Sequence, residues 1–144
     1  MCLHALYHKT IRYITLAEPA WWLFLRIWIG YVFFVSGLTK IDDFETTVFL
    51  FEEEYSVPLL SPYLAALSAT LFELTLPVFL WLGLATRVAS LPLLVMTAVI
   101  QFTYLDHVQH YYWGIILVGL LIHGAGQWSA NALLTRYIEQ RRNA

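Results

Sequence analysis

The chain has 144 residues, 60% of them hydrophobic and 12% charged, with a formal net charge of −2 at pH 7. Soluble domains carry roughly 45–50% apolar residues, so this composition excludes an ordinary soluble domain, and the near-neutral charge excludes a general nucleic-acid footprint. One cysteine, Cys2, excludes both an internal disulfide and a Cys-x-x-Cys redox pair.

The apolar surplus falls into four blocks, residues 20–38, 63–84, 88–105 and 111–128. Each is close to the roughly 20 residues that a helix needs to cross hydrocarbon. The pattern predicts an all-α fold: a four-helix transmembrane bundle forming one domain over residues 1–144, with a short amphipathic interfacial helix between spans 1 and 2.

Residues 1–18 read as a polar and aromatic surface leader ending at Glu18-Pro19, because proline suits the first turn of a helix. In the first block, Arg26, Gly30, Phe33, Gly37 and Lys40 recur at spacings of four, three, four and three, which places them on one helical face. Arginine in hydrocarbon costs on the order of 3 kcal/mol or more, so Arg26 requires a partner. It also argues against a cleaved signal peptide, whose apolar region carries no such charge. Lys40, at the far end of the block, is placed to snorkel to the surface.

Between spans 1 and 2, Phe44, Val48, Phe51 and Tyr55 make the apolar face of a short helix, with Asp43, Glu45 and Glu52 to Glu54 toward water. Pro58 and Pro62 end it, since proline disfavours helical geometry at the preceding residue. The second span opens with the small residues Ala65, Ala66, Ala69 and Thr70, carries Glu73 near its middle, and has Pro77 one turn later. At 1.5 Å per residue, Arg26 lies about 9 Å, Glu73 about 16 Å and His123 about 8 Å from the same boundary. The reach of arginine covers the difference, so a buried polar cluster of Arg26, Glu73 and His123 is expected, with Arg26 and Glu73 as the pair and Lys40 as a separate anchor. That pair either fixes helix register or serves a headgroup site, and both readings stay open.

The third span has Pro92, Thr97 and Gln101 as its irregular or polar members. In the turn that follows, His107 and His110 could share a metal with the acidic segment. The surrounding Tyr104, Tyr111, Tyr112 and Trp113 favour a solvated interface turn instead, and no metal site is predicted. His123, in the fourth span, has no second histidine in another span, so no haem is predicted. Gly30, Phe33, Gly37, Pro77 and Gly119 read as packing and seam positions. Ser129 and Asn131 open a basic, amphipathic tail.

Lys9, Arg12, Arg87, Arg136, Arg141 and Arg142 fall on one set of connections, whereas the opposite set holds only Lys40 among basic residues. The positive-inside rule then puts both termini in the cytoplasm and the acidic segment outside.

Together these residues resemble the DoxX family of small bacterial membrane proteins, from about Leu25 to Leu134. Leu25-Arg26-x-x-x-Gly30 with Phe33, Phe34, Ser36, Gly37 and Lys40 is similar to the family's first span, and Glu54-Tyr55-x-Val57-Pro58-Leu59-Leu60-x-Pro62 to the connection of one branch. Glu73-Leu74-x-x-Pro77, Gly83-Leu84-x-Thr86-Arg87 and His110-x-x-Trp113 resemble later elements. Gly124-Ala125-Gly126 and Asn131 depart from the Gly-Pro-Gly and Asp found in many relatives.

The resemblance implies a multi-pass protein of the bacterial inner membrane that serves as an accessory subunit of a quinone-linked or thiol and oxidative-stress redox complex. A quinone is its candidate cofactor, with the tail between Phe33 and Phe34, and no residue is assigned a catalytic role. The expected partners are the lipid bilayer, other membrane or periplasmic redox or metal-handling subunits, and a second copy in a homo-oligomer. The rival reading is a non-enzymatic scaffold, chaperone or metal-handling partner.

Overall fold

The computed structural model describes residues 2–55 and 59–143, with side chains described except at 2–6, 9 and 10. The expected chain break at Val57-Pro58 therefore lies outside the described residues. The described chain is all helical. α1 runs Cys2–Asp42, α2 Phe44–Leu50 with a π turn at Phe51–Tyr55, α3 Pro62–Leu82, α4 Thr86–Thr103, α5 Val108–His123 and α6 Ala130–Arg142. α1 packs on α3, α3 on α4, α4 on α5 and α5 back on α1, which closes a ring of helices.

Among the described residues, three segments are long and apolar enough to cross a membrane: Ile11–Asp42, Pro62–Leu82 and Thr86–Thr103. α5 is equally apolar but has 16 residues, or about 24 Å at the helical rise. The expected fourth block ran on to Trp128. The helix stops at His123 because Gly124 and Gly126 take left-handed φ values of 84° and 72°, which a helix cannot continue. The expected surface leader is likewise corrected: α1 is unbroken from Cys2 and passes through Pro19. Residues 11–18 are exposed, so the turn in which Pro19 leaves a carbonyl without its helical N–H lies outside the packed bundle.

The core holds two clusters. Ile29, Phe33, Leu80, Ala89, Leu93, Leu117 and Leu120 fill the centre of the ring. Phe51 seats on Ala65, Ala66 and Ala69, with Phe44, Val48 and Tyr55 around it. The apolar face expected of the short helix is thus spent on α3, whose alanines let it approach closely. Three buried hydroxyls within the spans return to their own helix: Thr70, Ser90 and Thr97 donate to carbonyls four residues back at 2.7–2.8 Å.

Two glycines set the α1 to α3 register. A Cβ at Gly30 would run into the Trp81 indole, whose Nε1 donates to the Ile27 carbonyl at 3.1 Å. A Cβ at Gly37 would come within 3.0 Å of the Glu73 Cβ and the Leu74 side chain. Gly30→Ala should therefore displace Trp81 and cost about 1–3 kcal/mol, read as a lower Tm with altered tryptophan emission. An unchanged Tm would mean that the indole turns aside freely.

Candidate functional site

Glu73 is 1% exposed in the middle of α3, opposite Gly37. An ionised carboxylate at that depth needs a partner, and α1 supplies it one turn beyond Gly37. Lys40 Nζ donates to Glu73 Oε1 and Oε2 at 3.1 and 2.9 Å and to Ser36 Oγ at 2.8 Å. The expected Arg26 to Glu73 pairing is therefore corrected to Lys40 with Glu73. Lys40 is not a free interface anchor but the counter-charge of a buried acid. Pro77, buried one turn along α3, has no N–H for the Glu73 carbonyl, so polar backbone lies next to the pair.

The pair borders a cavity of about 380 Å³. α3 contributes Ala69, Phe72 and Glu73, α4 contributes Pro92 and Met96, and Phe51 and Tyr55 of the π turn close one side. Apart from the ion pair its walls are overwhelmingly apolar, the composition expected of a site for an amphipathic ligand with one polar group. π turns within helical segments occur often at functional sites. The expected tail position between Phe33 and Phe34 is corrected as well. Phe33 is 4% exposed in the core, against Trp113, and Phe34 packs on Trp81.

The π turn is held from the side by Tyr104. Its ring meets Tyr55 edge-on at 4.6 Å, and the neighbouring Glu54 carboxylate, by hydrogen bonding to the protonated phenol and by its charge, pushes the Tyr104 pKa up. Burial pushes Tyr55 in the same direction. Above the ordinary tyrosine value near 10, the unfolded chain would release protons that these phenols keep when folded, so stability falls as pH rises through that window and is independent of them below it. Titration followed by tyrosinate absorbance should show late ionisation in the folded protein, and Tyr104→Phe should reduce the alkaline loss of stability.

Arg26 sits at the other end, fully buried and about 21 Å along α1 from Lys40 at the helical rise. Its guanidinium donates to the Leu80 carbonyl at 3.4 Å and the Trp128 carbonyl at 2.5 Å. Gly83 takes φ 67°, and a Cβ there would overlap the guanidinium and Ser129. The loop after α5 is tied to the same place, since Asn131 N donates to Gly83 O at 3.3 Å. Arg26 thus satisfies the C-terminal carbonyls of α3 and the loop rather than an acid. His123, at the end of α5, stacks on Trp22 at 4.1 Å and 9°, and Gly119 leaves the space into which that indole fits. The expected cluster of Arg26, Glu73 and His123 divides in two: Glu73 is with Lys40 at one end, and Arg26 and His123 are at the other.

At the α4 to α5 turn, Gln101 does what sequence reading did not foresee. Its carbonyl oxygen accepts from His107 N at 3.3 Å and meets His110 Nδ1 at 2.9 Å, while its amide donates to Asp106. His107 caps α5 by accepting from Gln109 N. Both histidines are engaged in closing this turn.

The DoxX family model matches residues 21–106. The chain belongs to the DoxX family. Neither a curated protein nor a solved structure matches it. The matched stretch of this DoxX protein carries Arg26, Lys40, Glu73, Arg87 and Gln101 and ends before α5. Family membership and the apolar helices together make it a multi-pass membrane protein.

Proposed function

We propose that this DoxX chain is an accessory subunit of a quinone-linked redox complex in the bacterial inner membrane, holding a quinone-like headgroup beside Lys40 and Glu73. α5 is its fourth span, α2 and the π turn lie in the outer interface, and both termini are cytoplasmic. The reading rests on one observation above all, the apolar cavity of about 380 Å³ with a single buried ion pair in its wall. A ring carbonyl could accept from Lys40, a ring hydroxyl could donate to Glu73, and the isoprenoid tail would lie against Phe72, Val95 and Met96. The distribution of basic residues supports the orientation.

The test is purification in mild detergent followed by solvent extraction and identification of retained quinones. A stoichiometric quinone, lost in a folded Lys40→Met/Glu73→Leu double variant, is the expected result. A protein that retains no quinone but co-purifies with a stable membrane or periplasmic partner would instead fit the scaffold reading.

A further inference from the structure

The end of the molecule opposite Lys40 contains a second cavity, of about 450 Å³, and among the described residues no acidic side chain lines it. One wall is the first turn of α4. A helix of 18 residues begins there with no side-chain cap, because its N-cap residue is Ala85, held at φ 44°. The first N–H groups of a helix have no intrahelical acceptor and carry the positive end of its dipole. The facing start of α6 is different: Ser129 Oγ accepts from Ala132 N, and Gly83 O accepts from Asn131 N. The unserved donors belong to α4.

A second observation points to a ligand at this turn. Thr86 lines the cavity and is 1% exposed, and its Oγ1 is one of two buried side-chain polar atoms without a hydrogen-bond partner among the described residues. The other, Arg26 Nε, belongs to the guanidinium packed against Gly83 in the same turn. A buried hydroxyl left unsatisfied is costly unless something arrives to accept from it. Arg87 and His123 also line the cavity, and Arg87 is fixed there by donating Nη2 to the Ile122 carbonyl at 3.1 Å. Uncapped N–H groups, an unpartnered hydroxyl free to donate and a fixed guanidinium all have a donor to offer one ligand.

We propose that this cavity binds a phosphate-type anion. The first-turn N–H groups of α4 and the Thr86 hydroxyl donate to its oxygens, and Arg87 neutralises its charge. A lipid headgroup and free inorganic phosphate present the same group, so the experiment separates them. The full-length protein in dodecyl maltoside is titrated with inorganic phosphate and with dihexanoyl-phosphatidylglycerol against chloride at equal ionic strength, and binding is read from the rise in Tm.

Thr86→Val should fold at least as well as the parent, because it removes an unsatisfied hydroxyl without changing volume. Arg87→Gln removes the charge. Each is expected to weaken binding about tenfold or more. A response to the lipid alone assigns the site to a headgroup, a response to phosphate alone assigns it to the free ion, and a response to both assigns it to the shared group. No response to either, or a response undiminished in Thr86→Val, overturns the proposal whatever becomes of Arg87→Gln.

Discussion

Lys40→Met is expected to cost on the order of 3 kcal/mol of stability, because it strands the Glu73 carboxylate without its counter-charge. The two partners are unequal: the Lys40 side chain is 16% exposed and that of Glu73 only 2%. Lysine can swing its head outward when its partner is lost, whereas glutamate in mid-helix cannot. Glu73→Gln should therefore be the milder change, about 1–2 kcal/mol, with Lys40 still bonded to Ser36. The double variant Lys40→Met/Glu73→Leu should recover most of the loss, since replacing a buried pair by apolar groups is often neutral or better. Chemical denaturation in detergent, with the parent, Lys40→Met, Glu73→Leu and the double variant compared as a cycle, measures the coupling. Additive single effects would show that the pair contributes nothing as a pair.

Arg26→Met is the second large effect, about 3 kcal/mol or more, and of a different kind. No charge is stranded. Two carbonyls, Leu80 O and Trp128 O, lose their donor, and the space under Gly83 is left poorly filled. The damage should be local. Protease should cut the 124–129 loop faster and Trp128 emission should change, while the Lys40 end of the molecule keeps its protection. Arg26→Lys should rescue only part, because one ammonium cannot span two carbonyls as a planar fork does. Intact loop protection in Arg26→Met would mean that the arginine holds nothing there.

The apolar blocks of membrane length make the spans legible, although α1 extends well before its block and α5 stops short of Trp128, and Phe44, Val48, Phe51 and Tyr55 do share one side of the short helical segment. What that side covers is not legible, because only the packed chain reveals that the alanines of α3 lie beneath it. The polar site was half visible: every charged residue in it was singled out, but the partners were exchanged. Counting depth inward from block ends treats Ala20 and Leu84 as one plane. The register is set instead by contact, Gly30 under Trp81 and Gly37 under Glu73. That register brings Arg26 level with the end of α3 and Lys40 level with Glu73.

The spacing of Ser36, Gly37 and Lys40 held a usable signal, since a small residue beside two polar groups leaves room for a side chain from across the interface. Gln101 held less. Its partners Asp106, His107 and His110 follow in a turn whose path no periodicity describes. The two orphaned donors near Gly83 were beyond any sequence argument, because an unmet hydrogen bond exists only once neighbours are in place.

The indole of Trp81 lies so close to Gly30 that this point is the natural fulcrum between α1 and α3. Lys40 is ten residues to one side of it and Arg26 four to the other, about 15 Å and 6 Å along the axis. Any rocking of α1 against α3 therefore moves Lys40 about 2.5 times as far as Arg26. About that point α1 has a long arm that carries its ion pair and a short arm clamped by carbonyls, so a small tilt is felt first at Glu73.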